Sequence, residues 1–204
     1  REEGVDDSHL GHQRLTRQGV SAMEAGDWRE AELRLRDALA KSPKDADIQR
    51  HLAETLCQLG EREEALEHML GASAAAPRDA AIAVRTSELL LEAGRADQAA
   101  ELADQAVKLD AGRADAWAVR GRTRAALGQP DAAQADFQRS LLLAPNSSQV
   151  LIESAELYNQ HGQFERCLAT VHRLMDTYPP GAEPCAALIL EGKTYLALGR
   201  PQQA

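Results

Sequence analysis

A fixed period constrains this chain more than any other feature. Gly26, Gly60, Gly94, Gly128 and Gly162 follow one another at intervals of 34 residues, and Gly199 comes 37 after the last. Five residues after each glycine stands a small residue: Ala31, Ala65, Ala99, Ala133, Cys167 and Ala204. Seven further on lie Ala38, Ala72, Ala106, Ser140 and Leu174, and five beyond these Pro43, Pro77, Ala111, Pro145 and Pro179. Self-similarity at a period of about 20–50 residues marks stacked repeats, in which no single unit can bury its apolar face alone.

Each unit reads as two helices. Before each glycine the apolar residues recur at helical spacing, as in Leu52, Leu56 and Leu59, or Leu151, Ala155 and Tyr158. The glycine ends the first helix, because a left-handed cap costs it least. A second helix follows, for example Asp97 to Leu109 or Asp131 to Leu143. A proline then stops it by removing a donor and crowding the preceding turn. The linkers between units leave no room for strands. Asp45, Asp79 or Asp115, and Ser147 are expected to cap the next first helix. The small residue after the turn lets two antiparallel helices approach closely.

Composition fits many thin layers rather than one large core. The hydrophobic fraction is 44%, yet aromatics are only 3%. A deep ligand pocket usually recruits more aromatic surface. Lys and Arg number 23 against 32 Asp and Glu, a formal net charge of −9. That balance argues against a nucleic-acid partner, which needs basic surface to neutralise phosphates. No run of 18 apolar residues occurs, so no membrane-spanning helix is expected. The residues from Arg1 to Gly11 read as a flexible acidic lead-in, with the repeats over 12–204. Their approximate bounds are 12–45, 46–79, 80–113, 114–147 and 148–181, with a partial sixth unit over 185–204.

Cys57, Cys167 and Cys185 are odd in number and lack Cys-x-x-Cys spacing, so neither a disulfide framework nor a thiolate zinc site is expected. Free thiols lean toward a reducing compartment, which favours the cytoplasm slightly. The chain opens at Arg1 rather than a methionine, and a periplasmic or anchored location after removal of a leader stays open. Cys167 occupies a packing slot and reads as a buried, inert thiol; Cys57 reads as lacking a basic neighbour that would activate it. No pair among His9, His12, His51, His68, His161 and His172 has the His-x-x-x-His spacing of a zinc site. His161 reads as a helix-end residue. The Gly192-Lys193-Thr194 tripeptide lacks the strand and loop of a phosphate-binding motif. No catalytic residue, metal or cofactor is expected.

These repeats resemble the tetratricopeptide repeat family. The fourth unit carries the fullest match, with Trp117, Gly121, Gly128, Ala133, Phe137 and Pro145. The fifth keeps Tyr158 and Pro179, the first keeps Gly19, Ala31, Ala38 and Pro43, and the sixth begins with Gly192, Tyr195 and Gly199. Arg124 stands where the family has a tyrosine, and Thr86-Ser87 where it has Leu-Gly. The resemblance implies an all-α fold: an α-solenoid, a right-handed superhelix of antiparallel helix pairs, with about five repeats plus a partial sixth. It also implies a concave wall formed by the first helices. Thr16, Val20, Met23, Arg50, Glu54 and Cys57 would lie on that wall in the early units. Val84, Glu88, Leu91, Ala118, Arg122 and Ala125 would follow in the middle, and Ile152, Glu156, Asn159, Ile189, Lys193 and Leu196 in the last. Of these, Arg50, Glu54, Val84, Glu88, Leu91, Arg122, Ile152, Glu156, Asn159 and Lys193 are the candidate peptide-binding residues. The family's two-carboxylate clamp is not expected, because its lysine and asparagine positions hold Thr16 and Val20, His51, and Ala81 and Arg85.

The resemblance implies a non-enzymatic scaffold, of bacterial type, that binds a protein or peptide segment. The alternative is the repeat region of a larger bacterial enzyme or of a cell-envelope or secretion assembly. The helix expected over 184–198 is apolar nearly all round and is a candidate self-association surface.

Overall fold

The computed structural model describes the backbone of residues 3–200 and 202, and side chains from residue 11 onward within that range. Arg1 and Glu2 lie outside the described residues. Eleven helices and no strand occur among the described residues. They are α1 (Glu3–Ala25), α2 (Trp28–Lys41), α3 (Ala46–Leu59), α4 (Arg62–Ala75), α5 (Ala80–Glu92) and α6 (Ala96–Leu109). Then come α7 (Ala114–Ala126), α8 (Pro130–Leu143), α9 (Ser148–Gln160), α10 (Phe164–Met175) and α11 (Cys185–Ala197). The chain divides into two compact units, Arg1–Leu109 and Asp110–Ala204. Unit 1 stacks three helix pairs; unit 2 stacks two pairs and α11.

The first helix begins at Glu3, ahead of the first repeat boundary expected at residue 12.

The period is written in the turns. Gly60 closes α3 at φ +83°, and its counterparts Gly26, Gly94, Gly128, Gly162 and Gly199 also have positive φ. A Cβ at Gly60 would meet nothing within 4 Å, so it is backbone conformation that requires glycine there. The residue after each turn glycine donates back five residues along the chain: Asp27 to Ala22, Glu61 to Leu56, Arg95 to Leu90, Gln129 to Arg124, Gln163 to Tyr158 and Arg200 to Tyr195. These 2.8–2.9 Å bonds satisfy carbonyls that a helix end leaves open. Asp45 and Asp79 cap the helices that follow them by accepting from two backbone amides each. Asp115 instead lies inside the first turn of α7, paired with Arg113, and Ser147 makes no side-chain cap bond.

Inside two of the pairs, a second kind of glycine works by space. A Cβ on Gly19 would lie 2.7 Å from Leu35, and one on Gly121 would lie 2.6 Å from Phe137. Ser87 holds the same register in α5, and its facing register position is Ala103 rather than a large residue. There the hydroxyl fits and donates to the Ala99 carbonyl at 2.8 Å. The slot residues Ala31, Ala65, Ala99, Ala133 and Cys167 are fully buried.

Between repeats, the carbonyls that close the first four units each receive one side-chain donor. Gln49 serves Pro43, Gln105 serves Pro77, Trp117 serves Ala111 and Arg173 serves Pro145, at 2.7–2.8 Å. Gln49 and Trp117 share one register on first helices; Gln105 and Arg173 share another on second helices. The unused position gives way. Gly71 holds the second-helix register beside Gln49, where a Cβ would come within 1.9 Å of its Oε1.

Candidate functional site

In unit 1 the candidate residues sit on α3 and α5. Arg50 Nη1 is 2.9 Å from Glu54 Oε1, one turn along α3, and its Nη2 lies 3.1 Å from His51 Nε2. Burial by itself would raise the Glu54 carboxyl, but His51 and Arg50 together hold it below the ordinary carboxylate range. On α5, Arg85 Nη1 is 3.0 Å from Glu88. Arg85 also faces Cys57 of α3, which overturns the expectation that this thiol has no basic neighbour. Burial still pushes the Cys57 thiol up, with Glu92 and Glu54 adding to it and Arg85 opposing. That upward shift favours the thiol over the nucleophilic thiolate.

The apolar candidates divide. Leu91 is half-buried against the core around Ala53, Leu66 and Leu90. Val84 is only 4% exposed, so it packs inside instead of lining an open wall. Thr16 and Val20 line a recess of about 460 Å3 with His12, Arg17, Asp45, Asp47 and Ile48.

In unit 2, Arg122 of α7 reaches across to Glu153 of α9, its Nε 3.0 and 2.9 Å from the two carboxylate oxygens. Ile152 is half-buried against the core of that unit. Asn159 turns into a joint: its Nδ2 donates to Thr194 Oγ1 of α11 at 2.7 Å, and that hydroxyl also lies 3.3 Å from Cys167 Sγ. Cys167 is buried, which raises its thiol. Glu156 and Lys193 are exposed. Each candidate face thus mixes charges already held by neighbours with a few half-buried apolar groups.

One cluster was not anticipated. Asp136 of α8 is buried and receives Arg120 at 2.7 Å and Arg124 at 2.8 Å. The Arg120 guanidinium lies 4.6 Å from the centre of the Trp117 ring, and Arg139 lies 5.8 Å from it. The signal available in the sequence was Arg124 in the tyrosine slot. A departure in the first helix asked for a compensating charge in the second.

Histidines find structural partners. His161 caps α9 with Nδ1 2.9 Å from the Leu157 carbonyl, and His172 lies 2.8 Å from Glu191. The side chain of His9 lies outside the described residues. Among the described residues no group of three or more His, Cys, Asp or Glu is arranged to hold a metal ion, and no helix is long and apolar enough to cross a membrane.

One tetratricopeptide repeat model matches residues 22–87 and again 124–189, and a second matches 84–148. The chain belongs to the tetratricopeptide repeat family. No curated protein sequence matches it. Among solved structures, PilW, described as a widely conserved type IV pilus biogenesis factor, has 24% identity and a TM-score of 0.84, over 95% of this chain and 88% of its own. Pseudomonas aeruginosa PilF has 21% identity and a TM-score of 0.79, over 97% and 89%. A thermophilic tetratricopeptide repeat protein from Thermus thermophilus has 25% identity and a TM-score of 0.67, over 92% and 98%. These likenesses bear out the all-α repeat fold. The tetratricopeptide repeat is a helix-pair scaffold, and its function comes from the side chains that each member presents.

Proposed function

We propose that this chain is a non-enzymatic protein-interaction scaffold that binds a peptide or helical segment on its first-helix faces. The observation that carries this reading is the row on α3 and α5. Arg50, Glu54, Arg85 and Glu88 are half-buried and held in ion pairs, with Leu91 among them. Side chains fixed in advance lose little freedom when a partner docks, so such a row favours binding. The partner would set apolar groups against Leu91 in unit 1 or Ile152 in unit 2 and meet charge at the rim. Family membership supports the scaffold role.

Charge reversal tests it. Partners retained from extract of the source organism on the immobilised chain should be lost, or weakened about tenfold, in Glu88→Lys or Arg122→Glu; one displaced charge contact of this kind is worth about 1–2 kcal/mol. Retention of every partner by both variants would sink the first-helix reading.

The α11 face is proposed as a self-association surface on the same footing. Leu188, Ile189 and Leu196 are exposed there, Ile189 by 57%. Light scattering should then show mass rising with concentration, and Ile189→Lys should abolish the rise. A constant monomer mass in the unaltered chain would reject it.

A further inference from the structure

Away from the first helices, unit 2 carries a recess that the reading above does not use. It lies between α8, the loop after it and α10, and has a volume of about 440 Å3. Gln138, Leu141, Leu142, Pro145 and Arg173 line it. Leu142 is 71% exposed, the highest value among the exposed large apolar side chains. The repeats themselves make that unusual. The register of Leu142 holds Ala40, Ala74, Lys108 and Asp176 in the other units, each small or charged, and each exposed. At this register a large aliphatic side chain stands in water in one repeat only, and that repeat has the recess beneath it.

Arg173 adds a second departure from the pattern. Its Nη2 donates to the Pro145 carbonyl at 2.7 Å. Gln105, at the same register two repeats earlier, does the same for Pro77 at the same distance. The structural task therefore needs one amide N–H. A guanidinium brings a full positive charge and five N–H donors in a planar fork that suits carboxylates. At the edge of an apolar floor, that surplus favours a ligand with an aliphatic group and an anion side by side.

We propose that this recess is a second docking site, separate from the first-helix faces, for an acidic peptide segment with a leucine-like anchor. The anchor rests on Leu141, Leu142 and Pro145, and a neighbouring carboxylate meets Arg173. The positive charge selects against a basic segment with the same anchor.

The test uses the whole chain, labelled with 15N, and two synthetic peptides, Gly-Glu-Leu-Glu-Leu-Gly and its lysine counterpart Gly-Lys-Leu-Lys-Leu-Gly. The acidic peptide should give saturable amide shifts centred on Leu141, Leu142 and Arg173; the lysine peptide should give none. Leu142→Asp should weaken the acidic peptide about tenfold, by loss of its apolar contact and gain of repulsion. Arg173→Gln, which keeps the donor to Pro145, should weaken it roughly five-fold while leaving the thermal midpoint in place. Four results would each overturn the proposal. These are no saturable shift with the acidic peptide, equal binding of the lysine peptide, shifts confined to α7, α9 and α11, and affinity unchanged in Leu142→Asp. Sedimentation covers the remaining occupant. A dimer that Leu142→Asp converts to monomer would assign the recess to a second copy of this chain and reject the peptide.

Discussion

The two units solve one packing problem with opposite uses of charge. Unit 1 holds 14 Lys and Arg against 22 Asp and Glu; unit 2 holds 9 against 10. Unit 1 keeps its charges exposed or half-buried. Arg29 and Arg36 of α2 reach Glu61, just ahead of α4, and Glu64 within it at 2.9–3.0 Å, and these arginines are 45% or more exposed. Unit 2 takes a carboxylate into its interior, where Asp136 is buried and paired with two arginines. Exposed pairs are worth little, because water and salt screen them and long side chains lose freedom. A buried pair is different in kind, since removing one partner strands the other without water. The lesson is that the unit with fewer charges depends on them more.

The largest expected effect comes from breaking the buried cluster. Asp136→Ala should destabilise unit 2 by about 3–5 kcal/mol, because Arg120 and Arg124 lose their shared partner. Each unit has one tryptophan, Trp28 in α2 and Trp117 in α7. In a Trp28→Phe background, urea unfolding followed by Trp117 fluorescence reads unit 2. The matched change in unit 1, Glu64→Ala, should cost less than about 1 kcal/mol, read from Trp28 with Trp117→Phe. Equal losses would erase the contrast between the units.

Next comes the close approach within a pair. Gly121→Ala should cost about 1–3 kcal/mol, because its Cβ would lie 2.6 Å from the Phe137 ring in a packed core. Phe137→Leu in the same chain should recover part of that loss, as the smaller side chain withdraws. In unit 1, Ser87→Ala should cost about 1 kcal/mol through the lost bond to the Ala99 carbonyl. Additive losses from Gly121→Ala and Phe137→Leu would show that the two side chains do not set one another's size.

These particulars show what was legible in the sequence. The helix pairs, the left-handed turn glycines and the buried small slots follow from local rules that repeat, so their spacing announces them. Ser87 stands where the family has glycine, and it is matched by Ala103, which lies 16 residues away across the pair. Arg124 is the same case, since its reason is Asp136 on another helix. Such pairs are invisible while each position is compared only with its own register. The candidate wall was legible as first-helix positions and less so as exposure. Val84 and Asn159 occupy the expected helices, yet one packs inside and the other fastens α9 to α11. A rotation of a fraction of a turn separates wall from joint, and periodicity alone does not resolve that angle.

The smallest expected effect concerns acid, and it sharpens the comparison from the side of unit 1. Glu54 is held below the ordinary carboxylate range in the folded chain: burial opposes its charge, but His51 and Arg50 outweigh it. A carboxylate whose folded value lies below its unfolded value binds more protons when unfolded. Its stabilisation is therefore complete above the unfolded value of 4.5 and is lost as pH falls through the lower folded value. Glu54 is partly exposed, so screening keeps the contribution under about 1 kcal/mol. Unit 1 should thus lose a little stability as the pH falls below 4.5, read from Trp28 in the Trp117→Phe background. Glu54→Gln should flatten that decline and leave the curve of unit 2 unmoved. A variant whose acid limb coincides with that of the unaltered chain would mean that Arg50 and His51 do not hold Glu54 in solution, and that the row on α3 is not fixed in advance of a partner.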